Sequence, residues 1–143
     1  MVEFRSEVDV VPSQERLPDP GGEFCGASQP PMLDQPYLAA CLREGLTAPK
    51  LLQMADLFEL RMEEDHLAML AALEAGNLDG VGAGAHRLKG SAGSLGLQGI
   101  RACAAGIEEA AKAGRQAACR SALAALPAVC ADVLRAFRDH LGS

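Results

Sequence analysis

Tryptophan and long apolar runs are both absent from this 143-residue sequence, and aromatic side chains make up only 3% of it. No apolar run approaches the roughly 20 residues that a membrane-spanning helix needs, so we expect no direct membrane contact. The N-terminus also lacks a basic segment followed by an apolar run, which is the pattern of a secretory signal. These absences predict a cytoplasmic protein.

Metal-ligand spacing and a clustered basic stripe are missing as well. The five cysteines are odd in number and form no C-x-x-C pair, so we interpret Cys103, Cys119 and Cys130 as small buried hydrophobes in a reducing compartment. The net charge is −6, yet residues 80–107 contain three bases and no acid. Three bases are too few for a nucleic-acid interface, but they favour the binding of one small dianion.

The first 31 residues differ in composition from the rest of the chain. Five prolines and three glycines interrupt any helical or strand periodicity there, and the segment contains six acids and two bases. We predict a flexible Pro/Gly-rich tail or linker over residues 1–31 and a folded domain over residues 32–143.

Apolar residues recur at helical spacing in five segments after residue 31, and no segment there alternates with the period of a strand. Asp34 and Thr47 are predicted to cap the first two helices, because each is followed by a proline in the first helical turn. Gly45 and Gly76 are predicted to end these two helices.

The remaining three helices are predicted to run from Asn77 or Asp79 to Gly96, from 97 to 113, and from 116 to 141. Pro127 is expected to kink or split the last one, because proline cannot donate the interior hydrogen bond. Short connections between long amphipathic helices make antiparallel neighbours. The sequence therefore predicts an all-α fold, an antiparallel up-down four-helix bundle with a short extra N-terminal helix. The few aromatics and many alanines indicate closely spaced helices.

One histidine of the third predicted helix has almost no large side chain beside it. The positions three and four residues from His86 hold Gly82, Ala83, Lys89 and Gly90. Glycine inside a helix costs roughly 1 kcal/mol relative to alanine. This cost indicates that another group approaches the imidazole closely, although helix-packing contacts are an alternative reason for the glycines.

An imidazole can act as a nucleophile, a base or a metal ligand near neutral pH. A metal would need further ligands one turn away, and Lys89 and Gly90 cannot provide them. A lysine in that position can instead pair with a phosphoryl oxygen as a point charge. Phosphoryl transfer needs mainly alignment and charge stabilisation, so a site as sparse as this one is sufficient for it.

The run Ala85-His86-Arg87-Leu88-Lys89-Gly90-Ser91-Ala92, followed by Gly93 and Gly96, strongly resembles the histidine phosphotransfer (HPt) domains of bacterial phosphorelays. It is most similar to those at the end of hybrid sensor kinases. The resemblance extends from about Met32 to Leu141 and includes the long second helix and the Ile107-Glu108 pair.

The resemblance implies a role for each of five residues. His86 would accept a phosphoryl group on Nε2 from the phospho-aspartate of a response-regulator receiver domain and pass it to another receiver. Lys89 would steady the phosphoryl oxygens, Gly90 would leave room for them, and Ser91 would add a hydroxyl at the helix edge. Glu108 would accept a hydrogen bond from Nδ1–H and so fix the tautomer, although an ordinary surface glutamate is an equal alternative.

The resemblance also implies a phosphocarrier with no kinase activity of its own, since no glycine-rich nucleotide loop is present. We expect no cofactor in this chain and Mg²⁺ on the partner receiver domain. The receiver is expected to dock over the glycines beside His86 and over apolar residues of the second and third helices. A monomer is expected, in the cytoplasm or as the cytoplasmic end of a membrane-bound hybrid kinase.

Three other interpretations remain open. The chain could be a non-catalytic helical interaction module that recruits a signalling partner, with His86 uninvolved. It could be a structural bundle at the end of a larger protein. A metal or haem bundle would need a second inward-facing histidine, for which His66 is the sole candidate; its neighbours suggest a partly exposed packing residue instead.

Overall fold

The computed structural model describes residues 32–142, which form five α-helices and contain no strand. The helices are α1 (Gln35–Arg43), α2 (Ala48–Glu74), α3 (Leu78–Ser94), α4 (Gln98–Lys112) and α5 (Gln116–Gly142). The predicted all-α class is confirmed for these residues. The tail or linker predicted for residues 1–31 lies outside the described part of the chain.

Polar side chains start the first three helices. Asp34, Thr47 and Asn77 each accept a hydrogen bond from the backbone N–H three residues later, at 3.2, 3.3 and 3.0 Å. Such caps satisfy N–H groups that have no partner inside the helix. Of the two residues predicted to begin α3, Asn77 is the one that caps it.

Glycines in the left-handed region follow the first four helices. Gly45, Gly76, Gly96 and Gly114 have φ values of 112°, 75°, 70° and 71°. Residues with a Cβ adopt this conformation at a cost, so a glycine here ends a helix cleanly. The predicted ends of α1, α2 and α3 are therefore confirmed to within a residue or two.

Helices α2 to α5 pack around one hydrophobic core. Helix α3 contacts α2 and α4, and α5 contacts the same two helices from the other side. The fully buried side chains of the core include Leu51, Met69, Leu73, Leu88, Ile100, Ile107, Leu123, Leu126, Leu134 and Phe137. The core thus holds α3 and α4 side by side, which is the arrangement that builds the site described below.

Helix α1 packs against the turn between α3 and α4. Tyr37 Oη donates a hydrogen bond to the carbonyl of Ser94 at 2.9 Å, and the N–H of Asp34 donates to the carbonyl of Gly96 at 2.9 Å. Leu38 is completely buried. These contacts satisfy carbonyls at the C-terminal end of α3 and fix that end in place.

Helix α5 runs through Pro127 without a break, so the expected split does not occur. Proline has no N–H, which leaves the carbonyl of Leu123, four residues earlier, without its helical partner. The ring of half-buried His66 on α2 supplies one, with Nε2 at 2.8 Å from that carbonyl oxygen. Because a carbonyl only accepts, Nε2 carries the hydrogen. His66 thus bonds to the neighbouring helix, as a packing residue would.

By length and composition α5 could cross a membrane, a test that the core helix of a soluble protein also passes. Seven of its residues are buried against the other helices: Cys119, Leu123, Leu126, Cys130, Val133, Leu134 and Phe137.

Candidate functional site

The site lies where α3 and α4 meet. On α3 the apolar stripe through Ala85 and Leu88 faces the core, so His86 lies on the outer side with 68% of its side chain exposed. On α4, Glu108 follows buried Ile107 and is itself only 9% exposed in its side chain. An exposed imidazole on one helix thus meets a buried carboxylate on the next.

A hydrogen bond joins these two side chains and fixes the tautomer of the histidine. His86 Nδ1 lies 3.0 Å from Glu108 Oε2. A carboxylate oxygen accepts and does not donate, so Nδ1 carries the hydrogen and Nε2 keeps its lone pair. Within residues 32–142, Nε2 has no hydrogen-bond partner of its own. The nitrogen available for bond formation is therefore Nε2.

Two lysines complete the surroundings of the carboxylate. Lys89 Nζ donates to Glu108 Oε1 at 2.7 Å, and Lys112 Nζ lies 3.5 Å from Oε2. The pKa of Glu108 is lowered to about 2, first by the Lys89 hydrogen bond and then by His86 and the charge of Lys112, which together outweigh the opposing effect of burial. Glu108 is therefore ionised at any physiological pH and remains an acceptor.

The sequence prediction for Lys89 omitted its partner. Lys89 is one helical turn from His86, as predicted, but its ammonium is bound to Glu108 and its side chain is only 30% exposed. Lys112 was not predicted at all. Its position four residues after Glu108 places both side chains on one face of α4, and this spacing is the signal that could have found it.

The glycines of α3 fall into two groups. A Cβ added to Gly90 would meet no atom within 4 Å, so the packing of the domain does not require glycine there. A Cβ added to Gly84 would lie 2.6 Å from Met69 Cγ on α2, which makes Gly84 a close-packing residue. The space over Gly90 is thus open to a group from outside, whereas the alternative of a packing contact is correct for Gly84.

Ser91 lies apart from this cluster. It is exposed and lines a groove between α2 and α3, together with Leu57 and Arg61. The depression that contains His86 is lined instead by residues of α3 and α4, among them Gly82, Ala83, Glu108 and Lys112. The structure brings His86, Lys89 and Glu108 together, with Gly90 one turn away, and does not add Ser91 to them.

Helix α2 exposes three leucines, of which Leu57 lines the groove with α3. Leu57, Leu60 and Leu67 are the most exposed large apolar side chains among residues 32–142. Their spacing of three and seven residues places them on one side of the helix, which we call the α2 leucine face. An exposed apolar face of this kind is typical of a surface that binds a protein partner.

Within residues 32–142, no group of three or more His, Cys, Asp or Glu side chains could hold a metal ion. Cys119 and Cys130 are buried free thiols, in agreement with the prediction, and Cys103 is half-buried. Burial raises the pKa of the Cys103 and Cys119 thiols and raises that of Cys130 to about 12.

Comparison with known proteins identifies the family. A model of the Hpt domain matches residues 53–137, which is more than half of the chain. The solved structure of histidine-containing phosphotransfer protein B from Pseudomonas aeruginosa PAO1 superimposes with a TM-score of 0.68 at 24% identity, covering 80% of this chain and 97% of that one. None of the curated proteins compared with the chain matches it significantly. The chain therefore belongs to the Hpt domain family, which carries phosphoryl groups in two-component phosphorelays and interacts with receiver domains of response regulators.

Proposed function

We propose that His86 is the residue on which this domain accepts a phosphoryl group from the aspartate of one receiver domain and from which it passes the group to another. The observation that carries this proposal is the exposed imidazole whose Nδ1 is bound to a buried, ionised Glu108 at 3.0 Å. This contact leaves the exposed ring with a lone pair on Nε2.

The chemistry needs no proton acceptor on this chain. The Nε2 lone pair attacks the phosphorus of the receiver's phospho-aspartate, an N–P bond forms, and the bond between phosphorus and the aspartate oxygen breaks. The aspartate leaves as a carboxylate, and the ring becomes a cation that keeps its Nδ1 hydrogen. Glu108, ionised at 3.0 Å from Nδ1, stabilises that cation. On the return step an acceptor aspartate attacks phosphorus, and the N–P bond breaks to release neutral imidazole.

Lys89 and Gly90 serve the phosphoryl group in this proposal. Lys89 lies one helical turn from His86, and its ammonium would pair with the phosphoryl oxygens as a point charge. The open space over Gly90 accommodates those oxygens and the approaching receiver. Phosphoryl transfer depends mainly on such positioning and charge.

The α2 leucine face is the proposed contact surface for the receiver. It lies on the helix that packs against α3, and its member Leu57 lines the groove between the two helices together with Arg61. The receiver would contribute the Mg²⁺ and most of the catalytic groups, and this chain would act as a carrier without kinase activity of its own.

The finer architecture and setting complete the proposal. We propose that α2 to α5 form an antiparallel up-down four-helix bundle with α1 as the extra helix. Their contacts in a closed ring and their short connections support this arrangement. We assign residues 32–143 to the phosphotransfer domain and residues 1–31 to a linker, as in a hybrid sensor kinase. The domain would be a cytoplasmic monomer.

Transfer from a phosphorylated receiver tests the proposal. The chain is incubated with several receiver domains that carry phospho-aspartate, and its mass is measured before and after mild acid. An acid-labile gain of one phosphoryl group is expected, and His86→Gln should abolish it while helicity and Tm stay near the wild-type values. If receivers bind the α2 leucine face without transferring phosphate, the alternative of a non-catalytic interaction module replaces the proposal.

A further inference from the structure

Lysine is scarce in this chain, and its distribution is unusual. Of the 13 basic Lys and Arg residues only Lys50, Lys89 and Lys112 are lysines. Two of these three bind the carboxylate of Glu108, from two different helices. The proposed phosphotransfer uses only one of them, which raises the question of what Lys112 does.

The two lysines contact Glu108 in different ways. Lys89 Nζ lies 2.7 Å from Oε1, and the Lys89 side chain is 30% exposed. Lys112 Nζ lies 3.5 Å from Oε2, and the Lys112 side chain is 74% exposed. The closer lysine is the main partner of the carboxylate in this structure. The more distant one is mobile enough to approach, since its long side chain lies mostly in solvent.

The proposed function creates a charge problem at Glu108. As Lys89 turns its ammonium towards the phosphoryl oxygens its contact with Oε1 weakens, and Glu108 is then a nearly buried carboxylate beside an incoming dianion. The phosphorylated His86 ring is cationic but carries the phosphoryl dianion, so weakening the Lys89 contact leaves the site with a net negative charge. Such a loss is strongly unfavourable beside a nearly buried carboxylate. Unless another cation takes its place, Glu108 would hold Lys89 back from the phosphoryl group.

We propose that Lys112 is a positioning residue that replaces Lys89 as the counter-ion of Glu108 when His86 is phosphorylated. This inference rests on the proposed function. Lys112 is on α4 with Glu108, four residues further along the helix. Its position relative to the carboxylate therefore does not depend on movement of α3. Its replacement of Lys89 frees that lysine for the phosphoryl oxygens and keeps Glu108 ionised as the acceptor of the His86 Nδ1 hydrogen.

Nuclear magnetic resonance of the lysine ammonium groups tests this exchange directly, because the chain gives only three signals. The full chain is treated with phosphoramidate, a small phosphoryl donor, and each signal is assigned with a Lys→Arg variant. Phosphorylation of His86 is expected to shift both the Lys89 and the Lys112 signals and to leave the Lys50 signal unchanged. A shift of Lys89 alone on the phosphorylated chain would overturn the inference but not the proposed function.

If neither phosphoramidate nor any receiver phosphorylates His86, the proposed function fails and this inference fails with it. The modified residue is identified by mass spectrometry, with His86→Gln as the control, so that modification of another exposed histidine is not mistaken for it.

Transfer rates provide a second test. Lys112→Ala is expected to slow transfer from a phosphorylated receiver by about fivefold. Lys89 would then stay partly bound to Glu108 and would stabilise the phosphoryl oxygens less. Lys112→Arg should restore the rate, and Lys50→Ala, the matched lysine on α2, should leave it unchanged.

A double-mutant cycle separates this role from direct contact between Lys112 and phosphate. In a Glu108→Gln background the neutral amide needs no counter-ion, so Lys112→Ala should have no further effect on the rate. An equal slowing in both backgrounds would mean that Lys112 acts on the phosphoryl group itself, and this would overturn the inference.

Discussion

Glycine has different surroundings on two sides of α3. On the side that faces α2, Gly84 lets the helices pack so closely that a Cβ would lie 2.6 Å from Met69 Cγ. Near His86, a Cβ on Gly90 would meet nothing within 4 Å. Glycine on the first side serves the fold, and glycine on the second keeps space that only a group from outside can use. The sides should therefore respond differently to substitution.

The largest effect of a change beside His86 is expected for Lys89→Ala. This variant removes the cation closest to Glu108, and a charged hydrogen bond contributes enough to change the transfer rate about tenfold. The chain should remain folded, because Lys112 still compensates Glu108. Transfer is measured from a phosphorylated receiver, with Lys50→Ala as the control. An unchanged rate would remove the role assigned to Lys89.

On the packing side, Gly84→Leu should destabilise the domain by about 2 kcal/mol, because the side chain would overlap Met69 and force α2 and α3 apart. The measurement is the free energy of unfolding in urea. Gly90→Leu is the matched control at the open position and should show no such loss. Equal losses at both positions would contradict the distinction between the two sides.

The acid dependence of stability tests the Glu108 network. The pKa of the Glu108 carboxyl is lowered to about 2 in the folded chain, whereas a glutamate in the unfolded chain has a pKa of about 4.3. Ionised Glu108 therefore stabilises the folded chain above about pH 4.3, and this contribution is lost as the pH falls through about 2. The stability difference between the wild type and Glu108→Gln should be constant near neutral pH and should shrink as the pH falls towards about 2.

Urea unfolding midpoints at a series of pH values measure that difference. Glu109→Gln changes an exposed carboxylate on the same helix and serves as the control. A difference between the wild type and Glu108→Gln that stays constant down to pH 2 would show that the pairing with Lys89 and His86 does not act on the ionised form.

The smallest effect is expected for Gly90→Ala. Because the position is open, alanine should raise the free energy of unfolding by about 0.5–1 kcal/mol through its higher helix propensity. The added methyl group should at the same time slow phosphoryl transfer. A variant that is both more stable and fully active would mean that the space over Gly90 has no function.

Much of the fold could be predicted because its signals are local. Asp34 and Thr47 cap the helices that follow them, and Gly76 and Gly96 end the helices before them through interactions within a few residues. The position of His86 on the outer side of α3 follows from the spacing of buried residues on the same helix. The role expected for Glu108 came from resemblance to a family rather than from spacing.

The remaining features depend on contacts between distant segments. The sequence does not show that Met69 would occupy the space beside Gly84, nor that Lys89 would pair with Glu108, because both depend on how neighbouring helices align. Of the kink or split expected at Pro127, the split does not occur, and His66, from another helix, bonds to the carbonyl that proline leaves without a partner.

In the proposed mechanism, Glu108 directs phosphorylation to one particular nitrogen of His86. The most direct measurement is ring-nitrogen NMR of the ¹⁵N-histidine-labelled chain after transfer from a phosphorylated receiver. We predict that phosphorus is bonded to Nε2 of His86 and that Nδ1 retains its hydrogen. Phosphorus on Nδ1, or on any other residue, would contradict the account.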